Sequence, residues 1–191
     1  MEVRGTVLMS CVAFLREQFG DLNVVRFHAT LPEGVRTVVD GRMGAFTWYP
    51  FESLKAYLDG AQEHFKGHRY LLHEMGRFSV DYQMNRFLRF ILGNITVERA
   101  VSRVPVLWQR YYRPGKMEVV KNTPGYVCVV LKEFPHESVL FCERLCGWMQ
   151  RLAEITGVLN SHVDHNQCSA QGADACVFDI RWSASALIQG E

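Results

Sequence analysis

The run Tyr111-Tyr112-Arg113-Pro114-Gly115-Lys116 divides the chain into two halves with different hydrophobic periods. Before it, apolar residues recur at helical spacing. Phe51, Leu54, Leu58, Ala61 and Phe65 share one face of a segment that Pro50 is suited to start. Leu71, Met75, Phe78 and Tyr82 form a second stripe. Val97, Val101, Val104, Leu107 and Tyr111 form a third, with Pro105 as an expected kink. Near the start, Ser10 can cap a helix that ends at Gly20, and a short helix follows from Asp21. After the divide, "MEVVKNTPGYVCVVLKEF" reads as strand, turn at Thr123 to Gly125, and strand. A helix from Ser138 to Thr156 is closed by Gly157, and "VLNSHVDH" and "ACVFDIRW" are two further strands around a loop. Helices, hairpin, helix, hairpin is an α+β order. One domain is expected over residues 1–191. Its helical layer (1–115) packs on an antiparallel sheet (116–191) with a crossing helix and a Cys-rich final hairpin.

Composition narrows the function. With 191 residues, 48% of them hydrophobic, the chain can bury roughly 70% of its unfolded surface without disulfides. The net charge of +1 gives no electrostatic footprint for nucleic acid. "WQRYYRPGK" mixes aromatic and basic residues, but reads as a helix end running into a turn. No apolar run approaches the roughly 18 residues of a membrane span. "MEVRGTVLMSCVAFL" lacks the basic start of a signal peptide, so a cytoplasmic protein is expected. In that reducing compartment Cys11, Cys128, Cys142, Cys146, Cys168 and Cys176 are buried thiols or metal ligands before they are disulfides.

Three of those cysteines, together with a histidine, invite a closer reading. Cys142, Leu145, Met149 and Leu152 share a helical stripe, so Cys142 faces the final hairpin. On the first strand of that hairpin His165 and Val163 share a face, opposite His162 and Asp164. The loop "CSAQGADAC" can fold Cys168 back on Cys176. Three thiols and one imidazole, from Cys142, His165, Cys168 and Cys176, can then converge as zinc prefers. Spacing leaves two other readings open: a buried thiol core and a redox pair of Cys168 with Cys176.

The same pattern resembles the 4-vinyl reductase domain, a small-molecule-binding module whose fold is shared with TRAPP core subunits. Its zinc-bearing members carry a helical Cys before Gly-aromatic, here Cys142 before Gly147-Trp148. They then carry Glu-x2-Cys-x7-Cys, here His165, Cys168 and Cys176, followed by Phe178. The resemblance implies a structural zinc on Cys142, Cys168 and Cys176. His165 stands in the carboxylate position, with Cys146 or His162 as substitutes. The whole chain is also similar to an uncharacterised myxobacterial family, through Arg4-Gly5, Trp48-Tyr49-Pro50, Gly76 to Ser79 and Arg110 to Gly115. Haem nitric-oxide sensors share the related fold and hold the haem propionates with Tyr-x-Ser-x-Arg. That string is missing: before Ser102-Arg103 there is Ala100 where the tyrosine belongs.

The function expected is a non-enzymatic sensor or regulatory module that binds a small hydrophobic molecule and acts through a partner protein. Candidate pocket residues are Trp48, Tyr70, Phe78 and Tyr82, with Phe87, Trp108, Tyr111 and Trp148. By default the aromatic stripes are core, and Arg77 and Arg86 beside them are exposed. A homodimer formed through the N-terminal helices is expected. The alternatives are a dimeric scaffold with a filled core, as in TRAPP subunits, and an accessory of tetrapyrrole vinyl reduction. A cavity of roughly 300 Å³ or more favours the sensor, and an exposed apolar helix face favours the scaffold.

Overall fold

The computed structural model describes residues 1–84, 95, 97–135 and 138–183. The chain opens with strand β1 (Glu2–Arg4), then helices α1 (Gly5–Phe19), α2 (Asp21–His28) and α3 (Glu33–Asp40). Strand β2 (Trp48–Pro50) leads into α4 (Phe51–His64), and α5 spans Leu71–Gln83. Two short helices follow, α6 (Val97–Val101) and α7 (Val104–Tyr111), and then β3 (Tyr112–Arg113). The second half holds β4 (Lys116–Thr123), β5 (Tyr126–Lys132), α8 (Val139–Ile155), β6 (Leu159–Gln167) and β7 (Cys176–Ser183).

This is the expected α+β architecture, and most of its elements follow from local signals. The Pro124-Gly125 turn joins β4 to β5, with Gly125 at φ 80° where a Cβ would be strained. Ser138 caps α8, its hydroxyl accepting from the Phe141 amide at 3.1 Å. The four strands run antiparallel in the order β4-β5-β7-β6, so β5 and β7 are central. That is why β5 is buried along Val127, Val129 and Leu131.

Three departures from the sequence reading have physical causes. Ser10 does not cap α1. It lies buried inside the helix and donates to the Val7 carbonyl, because α1 starts at Gly5. Pro105 does not kink one helix but sits in the first turn of α7, where its missing N–H costs nothing. The apolar stripe from Val97 to Tyr111 therefore belongs to two helices. A second sheet of order β2-β1-β3 joins the N-terminus to residues 48–50 and 112–113. Its side chains add to the backbone pairing: the Arg4 and Arg113 guanidinium groups lie 4.0 and 4.2 Å from the Trp48 ring centroid.

Helix α8 crosses the molecule between α5 and the large sheet. Its contact with α5 is backbone on backbone. A Cβ at Gly76 would overlap the Arg144 carbonyl, and a Cβ at Gly147 would overlap the His73 carbonyl. Around this seam Arg77 donates twice to Glu154, at 2.6 and 2.8 Å. Arg151 donates to Asp81 at 3.0 and 3.2 Å and to Glu154 at 3.2 Å. Arg77, expected to be free on the surface, is thus part of a paired network; Arg86 lies outside the described residues. Gly76→Ala and Gly147→Ala should each lower stability in urea by about 3 kcal/mol, the upper end of overpacking costs. Gly67→Ala, where an added Cβ meets nothing within 4 Å, should be neutral. Equal effects at all three positions would refute the contact as the reason for glycine.

Candidate functional site

A cavity of about 410 Å³ lies where the short helices meet α8. Its wall includes Val80 from α5, Val101 from α6, Leu107 from α7, Met149 and Ala153 from α8, and Ile180 from β7. The break between α6 and α7 lets two helices of five and eight residues wrap one side of it. Polar groups are few: the Gln83 amide, the Tyr111 hydroxyl, and Arg103, which is exposed. Burial pushes the Tyr111 hydroxyl up from its ordinary value, so it is a neutral phenol near pH 7.

Beyond this cavity lies a second void with room for about one water, near 10 Å³. Gln83, Leu107, Tyr111 and Trp148 line both spaces and form the partition between them. The second void is lined also by Trp108, Tyr112 and Arg144. Arg144 is 1% exposed. Its Nη1 donates to the Tyr112 hydroxyl at 3.2 Å, and the Cys11 thiol is its other polar neighbour. Among the described residues no carboxylate pairs with it. Its Nε and the Trp108 Nε1 are buried without a hydrogen-bond partner. A buried cation without a counter-ion costs several kcal/mol, so Arg144 is a costly group to bury. Arg144 was not singled out by its spacing. The available signal is that "LFCERLCGWM" (140–149) is apolar almost all round, which places its arginine inside.

Of the aromatic residues expected at a pocket, Tyr111 and Trp148 line the main cavity. Trp108 reaches only the small void, stacked on Tyr112 at 4.5 Å. Trp48 is held in the small sheet by its two arginines. Tyr70 is 54% exposed beside Arg69, and Tyr82 is 44% exposed. Phe78 packs between Phe14 and Tyr82, at 5.6 and 5.9 Å. These four line neither space, because their side chains turn toward solvent or other elements. Phe87 lies outside the described residues.

The four donors read from the Cys-rich region meet. One ligand atom each from Cys142, His165, Cys168 and Cys176 lies within 4.8 Å of the others. Helix α8 supplies Cys142. Strands β6 and β7 supply His165 and Cys176, and the single 3-10 turn at Ser169–Gln171 turns the chain after Cys168. The Cys142 thiol donates to Cys176 Sγ at 3.7 Å and lies 3.9 Å from Cys168 Sγ. The Ser169 amide also donates to Cys176 Sγ, at 3.3 Å. His165 stacks on Phe178 with centroids 4.7 Å apart, and its Nε2 has no hydrogen-bond partner. The proposed substitutes stand apart. Cys146 is buried outside this group, and His162 is 70% exposed and paired with Asp164 at 2.9 Å. Donation to Cys176, together with burial, raises the Cys142 thiol far above its ordinary value, and burial raises Cys168. Deprotonated, such a set is of the soft kind that binds thiophilic cations. Protonated, its thiols satisfy one another.

No family model and no curated protein matches the chain. Solved structures match it over nearly its whole length. An unliganded Fe(II) H-NOX protein from K. algicida aligns at TM-score 0.74 and 12% identity, covering 97% of this chain and 100% of that one. An H-NOX protein from S. oneidensis in the Fe(II)NO state aligns at 0.71 and 12%, covering 95% and 99%. An oxygen complex of an H-NOX domain related to soluble guanylate cyclases aligns at 0.62 and 9%, covering 98% and 99%. The fold is therefore that of H-NOX domains. This corrects the 4-vinyl reductase and TRAPP expectation and removes the support for a myxobacterial family. That resemblance rested on a few spaced residues of the last helix and hairpin, whereas the backbone likeness covers the chain. The expected structural zinc is corrected with it. The matching structures are described by iron and its gas ligands, one of them by haem and porphyrin distortion. The contacts among the thiols partner the three sulfurs with one another and with the Ser169 amide.

Haem does not fit the residues present. An axial ligand is normally imidazole, thiolate, thioether with imidazole, or phenolate. Among the described residues the cavity wall holds no histidine, cysteine or carboxylate, and Tyr111 is neutral. The Tyr-x-Ser-x-Arg string is also missing.

The thiols carry a checkable pH dependence. Burial pushes Cys146 up to about 12. The folded protein thus holds this proton more tightly than the unfolded chain, whose value is about 8.5. The stability it contributes is complete below about pH 8.5 and falls as the pH rises toward 12. All six cysteines are buried, so a thiol reagent should react slowly with native protein near neutral pH and with every thiol after denaturation. A fast-reacting native thiol, or a melting temperature that climbs above about pH 8.5, would contradict this assignment.

Proposed function

We propose that this chain is a non-catalytic sensor module that binds a small, largely apolar molecule in the cavity between α5, α6, α7, α8 and β7. The observation that carries the reading is the cavity itself. Its volume of about 410 Å³ falls in the range of small-molecule sites, and its wall is hydrocarbon with few polar groups. The fold supports it, since the H-NOX proteins it resembles are described with nitric oxide and oxygen bound. The chemistry differs from theirs because the described residues of the wall include no axial ligand for iron. A sensor works by changing what another protein or domain contacts, so the reading implies a partner. The scaffold alternative is less well supported. It calls for a filled core, but a cavity of about 410 Å³ lies between the helices and the sheet.

A neutral apolar fluorophore, N-phenyl-1-naphthylamine, tests the cavity directly. Wild-type protein should bind it saturably with a rise in emission. Ala153→Phe places a ring in the cavity from α8 and should weaken binding by at least about tenfold, with the helical circular dichroism unchanged. Absence of saturable binding, or binding untouched by Ala153→Phe, would remove the cavity as a ligand site.

A further inference from the structure

The buried arginine sits where it can choose the ligand. Among the described residues, neither the main cavity nor the small void is lined by a carboxylate. The small void instead gathers donors. Arg144 contributes a charge and a free Nε–H, and Trp108 contributes a free Nε1–H. Tyr112 accepts from Arg144, which leaves its own O–H to donate. Three donors and one uncompensated positive charge converge on a space with room for about one oxygen atom. Among the described residues, Gln83, Leu107, Tyr111 and Trp148 line both this space and the hydrocarbon cavity.

We propose that the ligand is an organic acid whose apolar body fills the main cavity and whose anionic head passes the partition to Arg144, Trp108 and Tyr112. The inference rests on the sensor reading above and adds the ligand class to it. A guanidinium and a carboxylate form the stronger, charge-assisted kind of hydrogen bond, and more so away from water. The acid supplies the counter-ion that the fold omits. A neutral molecule of the same shape would leave both N–H groups as they are. The aliphatic wall around Val80, Val101, Leu107, Leu152 and Ile180 suits a chain of methylenes. Rotation of Leu107 and Tyr111, both only partly buried, opens the way.

The test pairs octanoate with 1-octanol, which differ only at the head. Titration calorimetry on the full chain, with Trp108 and Trp148 fluorescence as a second readout, should give octanoate at least about tenfold tighter binding than 1-octanol. In Arg144→Met the two affinities should converge to within about twofold while 1-octanol still binds. Trp108→Phe keeps the ring and removes one donor, so it should weaken octanoate alone. It carries the test if Arg144→Met does not fold. Equal affinity for acid and alcohol in wild-type protein overturns the acid proposal and leaves the sensor reading standing; the void then holds a water. Binding of neither probe overturns both.

Discussion

Gly76 against the Arg144 carbonyl and Gly147 against the His73 carbonyl set the distance at which α8 lies on α5, and much else follows from that distance. With no side chain between them, the two backbones meet carbonyl against Cα. The faces beside the contact are then fixed. On one side the chain closes with the Arg77, Asp81, Arg151 and Glu154 ion pairs. These are partly exposed, so they add orientation more than energy. On another, Arg144 is carried into the interior, since its own carbonyl is what Gly76 meets. The buried charge is thus a consequence of the tight crossing, and the energy of the crossing helps to hold it there.

The two candidate centres differ in how completely they satisfy themselves. In the thiol cluster, sulfur atoms and a backbone amide provide one another's partners, while the stacked His165 keeps a buried Nε2 without a hydrogen-bond partner. It ties α8 to the last hairpin. Arg144 has a tyrosine and a thiol but no anion. A buried polar group left short calls for an explanation, and a bound ligand is one. The asymmetry directs attention to the arginine rather than to the cysteines, although the cysteines are the louder sequence signal.

What the residues disclose depends on the length over which a signal repeats. Helix α4 and the β4–β5 hairpin run long enough for their periods to show, and Pro50 and Gly125 mark their ends. The meeting of Cys142 with His165, Cys168 and Cys176 could be read because helical and strand periods each place a residue on a face. The β2-β1-β3 sheet could not, because strands of two or three residues carry no alternation, and their partners lie up to 111 positions apart, as with Glu2 and Arg113. The family resemblance failed for a related reason: spaced cysteines describe a hairpin, and a hairpin recurs in more than one fold. The aromatic residues divided in the same way. Tyr111 and Trp148 lie on inward faces, while Tyr70 and Tyr82 lie on outward ones, and residue type alone does not separate them.

Tyr111 and Tyr112 are neighbours in sequence but belong to different structures, the cavity partition and strand β3. Strand β3 pairs with β1, which runs straight into α1 and also holds the β2 edge. The peptide bond between the two tyrosines is therefore a mechanical joint. A displacement of the Tyr111 backbone would act first on the pairing of β3 with β1, the strand that also holds the Trp48 edge and leads into the first helix.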